Sequence, residues 1–312
     1  MLTGFRRCNN RQSDKGFILI TVLLITALLL STVGALAVFS RSEVRRIRDA
    51  EFSFRARSVA LVASKSASSW IAADDNEYDS PLEKLYSEKK PRSLRFGDIT
   101  VKVKITPLND KIPMSHLFLP DGTTLAEEYR WSWDLIWEIL ERPQLGNIIL
   151  DYMDKDAQIR MGSREEDFYI NRMVTDISEW LRVPGVTWDV LYGSGDVTGG
   201  ADRYFSVFSG SKININTVKP EVLLVLDKEF NSGNVGALLQ SRGESPLKSI
   251  EELRKTPSFP PAVATRLINV IGFKSDFFRV DLEVAEFSNR RYFTVIMKRS
   301  GQKECEVVRW EE

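Results

Sequence analysis

Histidine is almost missing from this sequence: His116 is the only one, so a Ser/His/Asp triad or a histidine-rich zinc site has little to draw on. Cysteine is nearly as scarce. Cys8 and Cys305 stand at opposite ends of the chain, where they could in principle close one long disulfide. An excess of positive charge is lacking too, because Lys plus Arg and Asp plus Glu each total 43. Nothing therefore steers the molecule toward nucleic acid as a whole. No Gly-rich phosphate loop is present.

What is present suits a folded protein. A length of 312 residues, 43% hydrophobic and 28% charged, exceeds one usual domain and allows real cores. The distribution is uneven. From Phe17 to Ser40 run 24 residues without a charge, which as a helix measure roughly 36 Å and span a bilayer. Before them lies a short leader with Arg6, Arg7, Arg11 and Lys15 against Asp14, of the kind that stays cytoplasmic. Arg41, Arg45, Arg46 and Arg48 balance those four bases on the far side, so counting alone leaves the orientation open. A secretory signal cut near Ala35-Leu36-Ala37 is the other reading, but its apolar region would exceed the usual length of about 7 to 15 residues.

Beyond the apolar stretch the chain continues without Pro or Gly as far as Asp75, with Val44, Ile47, Ala50, Phe54 and Val62 at roughly helical spacing. One long helix is expected, its second half packed on a globular head and ended by DDNEYDSP at 74 to 81. Residues 98 to 106, 277 to 287, 290 to 298 and 305 to 310 alternate polar and apolar side chains and predict strands. Turns are expected at Ser288-Asn289 and Gly301. Between the first strand and the last three lies a mostly helical insert of about 160 residues, too long for a loop. Within it Trp131, Trp133 and Trp137, with Leu135, Ile136, Ile139 and Leu140, predict a helix serving as core or subunit interface.

Lys15-Gly16 followed by Phe17 and an apolar helix resembles the type III signal of prepilins and pseudopilins. The resemblance implies cleavage after Gly16 by the prepilin peptidase, with Phe17 as the methylated first residue. Cys8 would leave with the leader, and the remainder would hold 39 positive and 42 negative residues, a net −3. The family usually has Glu at the fifth mature position; here it is Thr21. Component K pseudopilins of type II secretion systems characteristically lack that Glu, which suits a subunit at the filament tip with no neighbour beyond it.

The stretch DYMDKDAQIRMGSREEDFY at 151 to 169 resembles the same family in Asp151, Asp154, Asp156, Gly162, Glu165, Glu166, Asp167 and Tyr169, while Ser163, Arg164 and Met161 depart from its pattern. Six acids within 17 residues repel one another unless screened, and an all-oxygen set suits a hard cation. The resemblance likewise implies calcium on Asp151, Asp154, Asp156, Glu165, Glu166 and Asp167; the competing reading is a solvated acidic loop partly neutralised by Arg160 and Arg164. A glycosidase carboxylate pair is disfavoured, since no carbohydrate-binding aromatic cleft can be argued here. SKININTVKPEVLLVL at 211 to 226 also resembles the family, with Thr217 placed to cap a helix from Pro220. A similar phrase opens helix-hairpin-helix DNA-binding domains. Their turns need Gly-any-Gly, whereas this chain has Asp227-Lys228-Glu229-Phe230 and Pro257-Ser258-Phe259-Pro260.

The resemblance to component K thus implies an α+β protein of pilin-like fold: a long N-terminal transmembrane helix on an antiparallel sheet, with a large inserted all-α domain of units like sterile alpha motifs and helix-hairpin-helix. The expected boundaries are a leader at 1–16, a membrane span at 17–40 and its periplasmic continuation at 41–75. The head would begin at 76–106, interrupted by helical units at 107–210 and 211–274, and close with strands at 275–312. It implies a non-enzymatic subunit anchored once in the inner membrane with its C-terminal region in the periplasm. Its partners would be minor pseudopilins I and J, other pseudopilins, the prepilin peptidase, and secreted proteins or the outer-membrane secretin, with no nucleic acid. The alternatives are a type IV minor pilin, which would keep the Glu and lack the insert, or a membrane-anchored DNA-uptake protein.

Overall fold

The computed structural model describes residues 11–86, 91–163, 166–194, 199–301 and 304–312, with side chains from Gly16 onward. The chain divides into two units, one ending at Ser58 and one beginning at Val59. The first unit is the larger part of helix α1 (Arg11–Ala72). Among the described residues α1 is the one helix long and apolar enough to cross a membrane, with a mean hydropathy of 2.6 over its most apolar window. The hydroxyls of Thr21, Thr26, Ser31 and Thr32 donate back to carbonyls of the preceding turn, at 2.8–2.9 Å. Polar side chains inside an apolar segment are satisfied locally in this way.

In the second unit the last turns of α1 bury Ala60, Ala63, Ser64, Ala67 and Ile71, a row spaced by three and four residues. Val62, on another side of these turns, is half exposed. Small side chains let a helix axis approach its support closely, and bulky ones at those positions would hold it away. Trp70 lies 4.5 Å from the Arg92 guanidinium, and the Ser68 hydroxyl donates to the Cys305 carbonyl at 2.6 Å.

Strands β1 (Arg92–Phe96) and β2 (Ile99–Pro107) follow as a hairpin. The chain then leaves the sheet. It forms β3 (Ile112–Pro113), α2 (Glu127–Ile139), α3 (Pro143–Met153), α4 (Trp188–Tyr192) and β4 (Phe205–Ser206). A second group comprises β5 (Ile213–Asn214), α5 (Pro220–Leu226), α6 (Ser232–Glu244), α7 (Ile250–Arg254), α8 (Pro261–Arg266) and β6 (Ile271–Gly272). Pro at the first position starts α3, α5 and α8, where a missing N–H costs nothing. Asn231 closes a capping box on α6, and Ser249 caps α7.

The core of the first group is aromatic. Trp133, Trp137, Trp180 and Phe205 are buried with ring centroids 5.1–6.1 Å apart, in tilted and edge-on pairs. Trp131, on the other side of α2, is half exposed, so the tryptophan helix divides between core and surface. Short parallel pairs, β3 with β4 and β5 with β6, close each group's ends together.

The chain returns as β7 (Phe277–Glu286), β8 (Asn289–Arg299) and β9 (Cys305–Glu311), giving an antiparallel sheet in the order β1-β2-β7-β8-β9. Register places Val101 opposite Val284, Val103 opposite Leu282 and Ile105 opposite Val280, and these residues are buried on one face. Strand β1 was not anticipated; three of its five residues are exposed, and only Leu94 and Phe96 are partly buried. The β7–β8 turn is Phe287-Ser288, one residue earlier than expected, because Glu286 pairs with Asn289. Phe287 takes a φ of 50° there, in the left-handed region.

Candidate functional site

The acidic stretch begins inside α3 and continues into the loop behind it. Asp151 and Asp154 are buried at the helix end, and both carboxylates accept from Nη1 of Arg160. Nη2 of the same guanidinium donates to the Thr123 carbonyl at 2.6 Å, and the Arg160 backbone N–H donates to Asp151 Oδ2 at 3.0 Å. A turn with the Ser163 N–H on the Arg160 carbonyl, and Gly162 at φ 80°, folds the loop back. Burial pushes the Asp154 carboxyl up to about 6, against the opposing pull of Arg160. Its Oδ1 has no hydrogen-bond partner among the described residues.

Of the other predicted ligands, Asp156, Glu166 and Asp167 are among the described residues. Asp156 is half-buried and accepts from the Gln158 N–H at 2.8 Å, Asp167 is exposed, and Glu166 is half-buried. Glu165 and Arg164 lie outside the described residues. Calcium takes about six to eight oxygens. The unpartnered Asp154 oxygen and the all-oxygen chemistry suit it, but among the described residues no three such groups converge, and a guanidinium fills the space between the two buried carboxylates. The residues as arranged do not fit the ion.

A second polar cluster was not visible in the sequence. Asp79, fully buried, accepts from the Ser275 N–H at 2.6 Å, from Arg299 Nη1 and Nη2 at 3.1 and 3.3 Å, and from the Tyr86 hydroxyl. Burial pushes its carboxyl above the ordinary range while Arg299 opposes the shift. Nearby, Asn109 stands where the chain leaves the sheet. Its Oδ1 accepts from the N–H groups of Asp276 and Phe277 at 3.1 and 3.2 Å, and its Nδ2 donates to the Lys212 carbonyl at 3.0 Å. The cluster joins sheet to insert.

The asparagines of the 211–226 phrase belong to this joint. Asn214 Nδ2 donates to the Asp79 carbonyl and the Ser275 hydroxyl, both at 2.9 Å, and its Oδ1 accepts from the Asn216 N–H. Asn216 makes a paired contact with the Leu247 backbone at 2.8 and 2.9 Å. Thr217 does not cap α5; its hydroxyl turns back to the Asn214 carbonyl at 3.3 Å and Lys219 occupies the cap position. In the 227–230 turn, Arg266 grips Asp227 with two bonds of 2.7 Å and reaches Glu229 with a third. The acids of that turn thus face an internal arginine.

Gly16 and Phe17 both lie within α1 and are exposed. A Cβ added at Gly16 would meet nothing within 4 Å, so packing does not require glycine there. Thr21, four residues after Phe17, donates to the Phe17 carbonyl at 2.9 Å and brings no charge to the span.

Comparison with known proteins bears on the parts just described. The family model for type II secretion system (T2SS), protein K, matches residues 213–270, the segment holding Asn214, Asn216 and helices α5 to α8. Curated protein sequences yield no match. Among solved structures, the fold is similar to a chain of the GspK-GspI-GspJ complex from the enterotoxigenic Escherichia coli type 2 secretion system. The TM-score is 0.66 at 15% identity, covering 85% of this chain and 98% of that one. The shared fold extends over most of the elements described above. The second helical group is thus similar to the type II secretion system protein K family, and the fold is shared over most of the chain with the solved structure.

Proposed function

We propose that this chain is a minor pseudopilin that sits at the tip of a periplasmic pseudopilus, where it starts or caps assembly and supports protein export across the outer membrane. The observation that carries the reading is Thr21. An apolar helix entering a filament leaves lipid for other helices of its kind. A carboxylate at that position would need a partner amine from a neighbouring subunit, because an isolated charge in an apolar bundle is costly. Thr21 satisfies itself on the Phe17 carbonyl and asks for no neighbour. The helical insert enlarges the head, which opposes a further subunit adding above it.

The role is structural, with no reaction catalysed. In this reading the chain crosses the inner membrane once through residues 17–40 and keeps its C-terminal region in the periplasm. The prepilin peptidase cuts after Gly16 and the new amine of Phe17 is methylated; that packing leaves Gly16 unconstrained supports an enzyme as the reason for glycine there. The small pseudopilins I and J are the expected neighbours, as the similar structure is a complex of GspK, GspI and GspJ. Secreted proteins or the outer-membrane secretin are further partners of the head.

The test is co-expression of the full chain with minor pseudopilins I and J of the same secretion system, extraction in mild detergent and purification through a tag on this chain. The three should elute together, and deletion of this chain should stop export of a reporter substrate. Elution of this chain alone, with export unchanged by its deletion, would refute the assignment.

A further inference from the structure

We infer that the acidic loop of the first helical group carries its own cation, the guanidinium of Arg160, and so keeps its order without a bound metal ion. The inference concerns that group by itself and stands whether or not the tip assignment does. Asp151 and Asp154 are 0% and 1% exposed, too deep for water to screen them. Buried carboxylates that lack a positive partner are strongly destabilising, so something positive must lie between them.

Arg160 supplies that charge from within the loop it organises. One nitrogen reaches both carboxylates, a second reaches the Thr123 carbonyl, and the backbone N–H of the same residue takes the remaining oxygen of Asp151. The planar fork of a guanidinium serves three acceptors at fixed directions, whereas a spherical ion gathers about six to eight oxygens from all sides. Both oxygens of Asp151 and Oδ2 of Asp154 already accept from Arg160 N–H groups, which leaves only Asp154 Oδ1 without one among the described residues. Asn147 Nδ2 on the Met161 carbonyl, at 2.9 Å, and the Gly162 turn then fasten the loop to α3. The arginine thus replaces the ion for which the spacing of the acids seemed suited.

The experiment uses the full chain in detergent and calcium as the probe. Thermal unfolding is followed in chelator and again with calcium at about 1 mM, which spans sensor-type and weaker sites. The wild-type melting temperature should not move, because a ligand bound to the folded state alone would raise it. Arg160→Met should melt several degrees lower in chelator. A wild-type rise with calcium that Asp151→Asn abolishes would overturn the inference, as would an Arg160→Met chain as stable as wild type. If that variant does not fold, terbium luminescence of the wild-type chain decides: no sensitised emission is expected, and emission lost in Asp151→Asn would equally overturn it.

Discussion

Replacing Arg299 with methionine tests the joint between sheet and insert. The guanidinium holds both oxygens of Asp79 at 3.1 and 3.3 Å, donates to the Ser275 carbonyl at 3.1 Å and lies 4.7 Å from the Phe278 ring. Methionine preserves much of the stem's packing on Phe278 but leaves Asp79 buried with only the Ser275 N–H and Tyr86 hydroxyl as donors. Removing one partner of a buried pair costs about 3–5 kcal/mol. In a unit of this size each kcal/mol lowers Tm by about 2–4 °C, so the loss should be roughly 6–20 °C. It also has a predicted pH dependence. Burial already raises the Asp79 carboxyl, and without Arg299 it rises further. The folded variant then holds a proton that the unfolded chain releases, so its stability falls as pH rises through that window. The Tm gap between wild type and variant, followed by tryptophan fluorescence on the full chain in detergent, should therefore widen from about pH 5 to about pH 8. A gap that stays constant, or no gap, would refute the account of Asp79 as a charge held by Arg299.

Other expectations concern separate parts of the molecule. Asn214→Ala leaves the Asp79 carbonyl and the Asn216 N–H unsatisfied, at about 1–3 kcal/mol each, and amide exchange of Asn216 and Ser275 should accelerate while that of β8 does not. Trp180→Ala should cost about 3–5 kcal/mol in chemical denaturation of the purified protein, since the indole is fully buried against Trp133, Trp137 and Phe205. Burial disfavours ionised Glu179, but bonds from the Thr175 N–H, Arg172, the Thr175 hydroxyl and the Asp176 N–H outweigh it and hold the carboxyl at about 2. This depressed group gives about 3 kcal/mol above its unfolded pKa, lost as pH falls toward 2, and Glu179→Gln should flatten that part of an acid titration of stability. Gly16→Val should block removal of residues 1–16 in cells holding a prepilin peptidase, read as intact mass, while leaving the melting temperature of the head unchanged.

Much of the architecture was legible because it rests on local pattern. The alternation in β2 and β7 matches burial of one sheet face, and 24 uncharged residues permit few interpretations. Strand β1 escaped because RSLRF is short, lies at the sheet edge and offers only Leu94 and Phe96 as alternating apolar positions. The buried row of α1 was not legible because it consists largely of alanines, which no apolar periodicity marks. The acidic run was visible as a cluster and Arg160 as one of two bases that could neutralise it, but the burial was not: whether Arg160 turns inward depends on where Thr123 arrives, 37 residues earlier. Asp79 and Arg299 are 220 residues apart, and no local pattern marks either as buried.

The two points where the insert departs and returns lie side by side. Pro107 pairs with Phe278, and the Leu108 N–H meets the Phe277 carbonyl at 2.8 Å. Topologically, everything between them is a single excursion from one hairpin-like rung. Closure entropy grows only with the logarithm of length, about 0.6 kcal/mol per doubling, so such an excursion can lengthen with little penalty to the strands beneath. Helical cargo of very different bulk could thus be exchanged at this rung during evolution, with the sheet left as a constant chassis and Asn109 as its coupling.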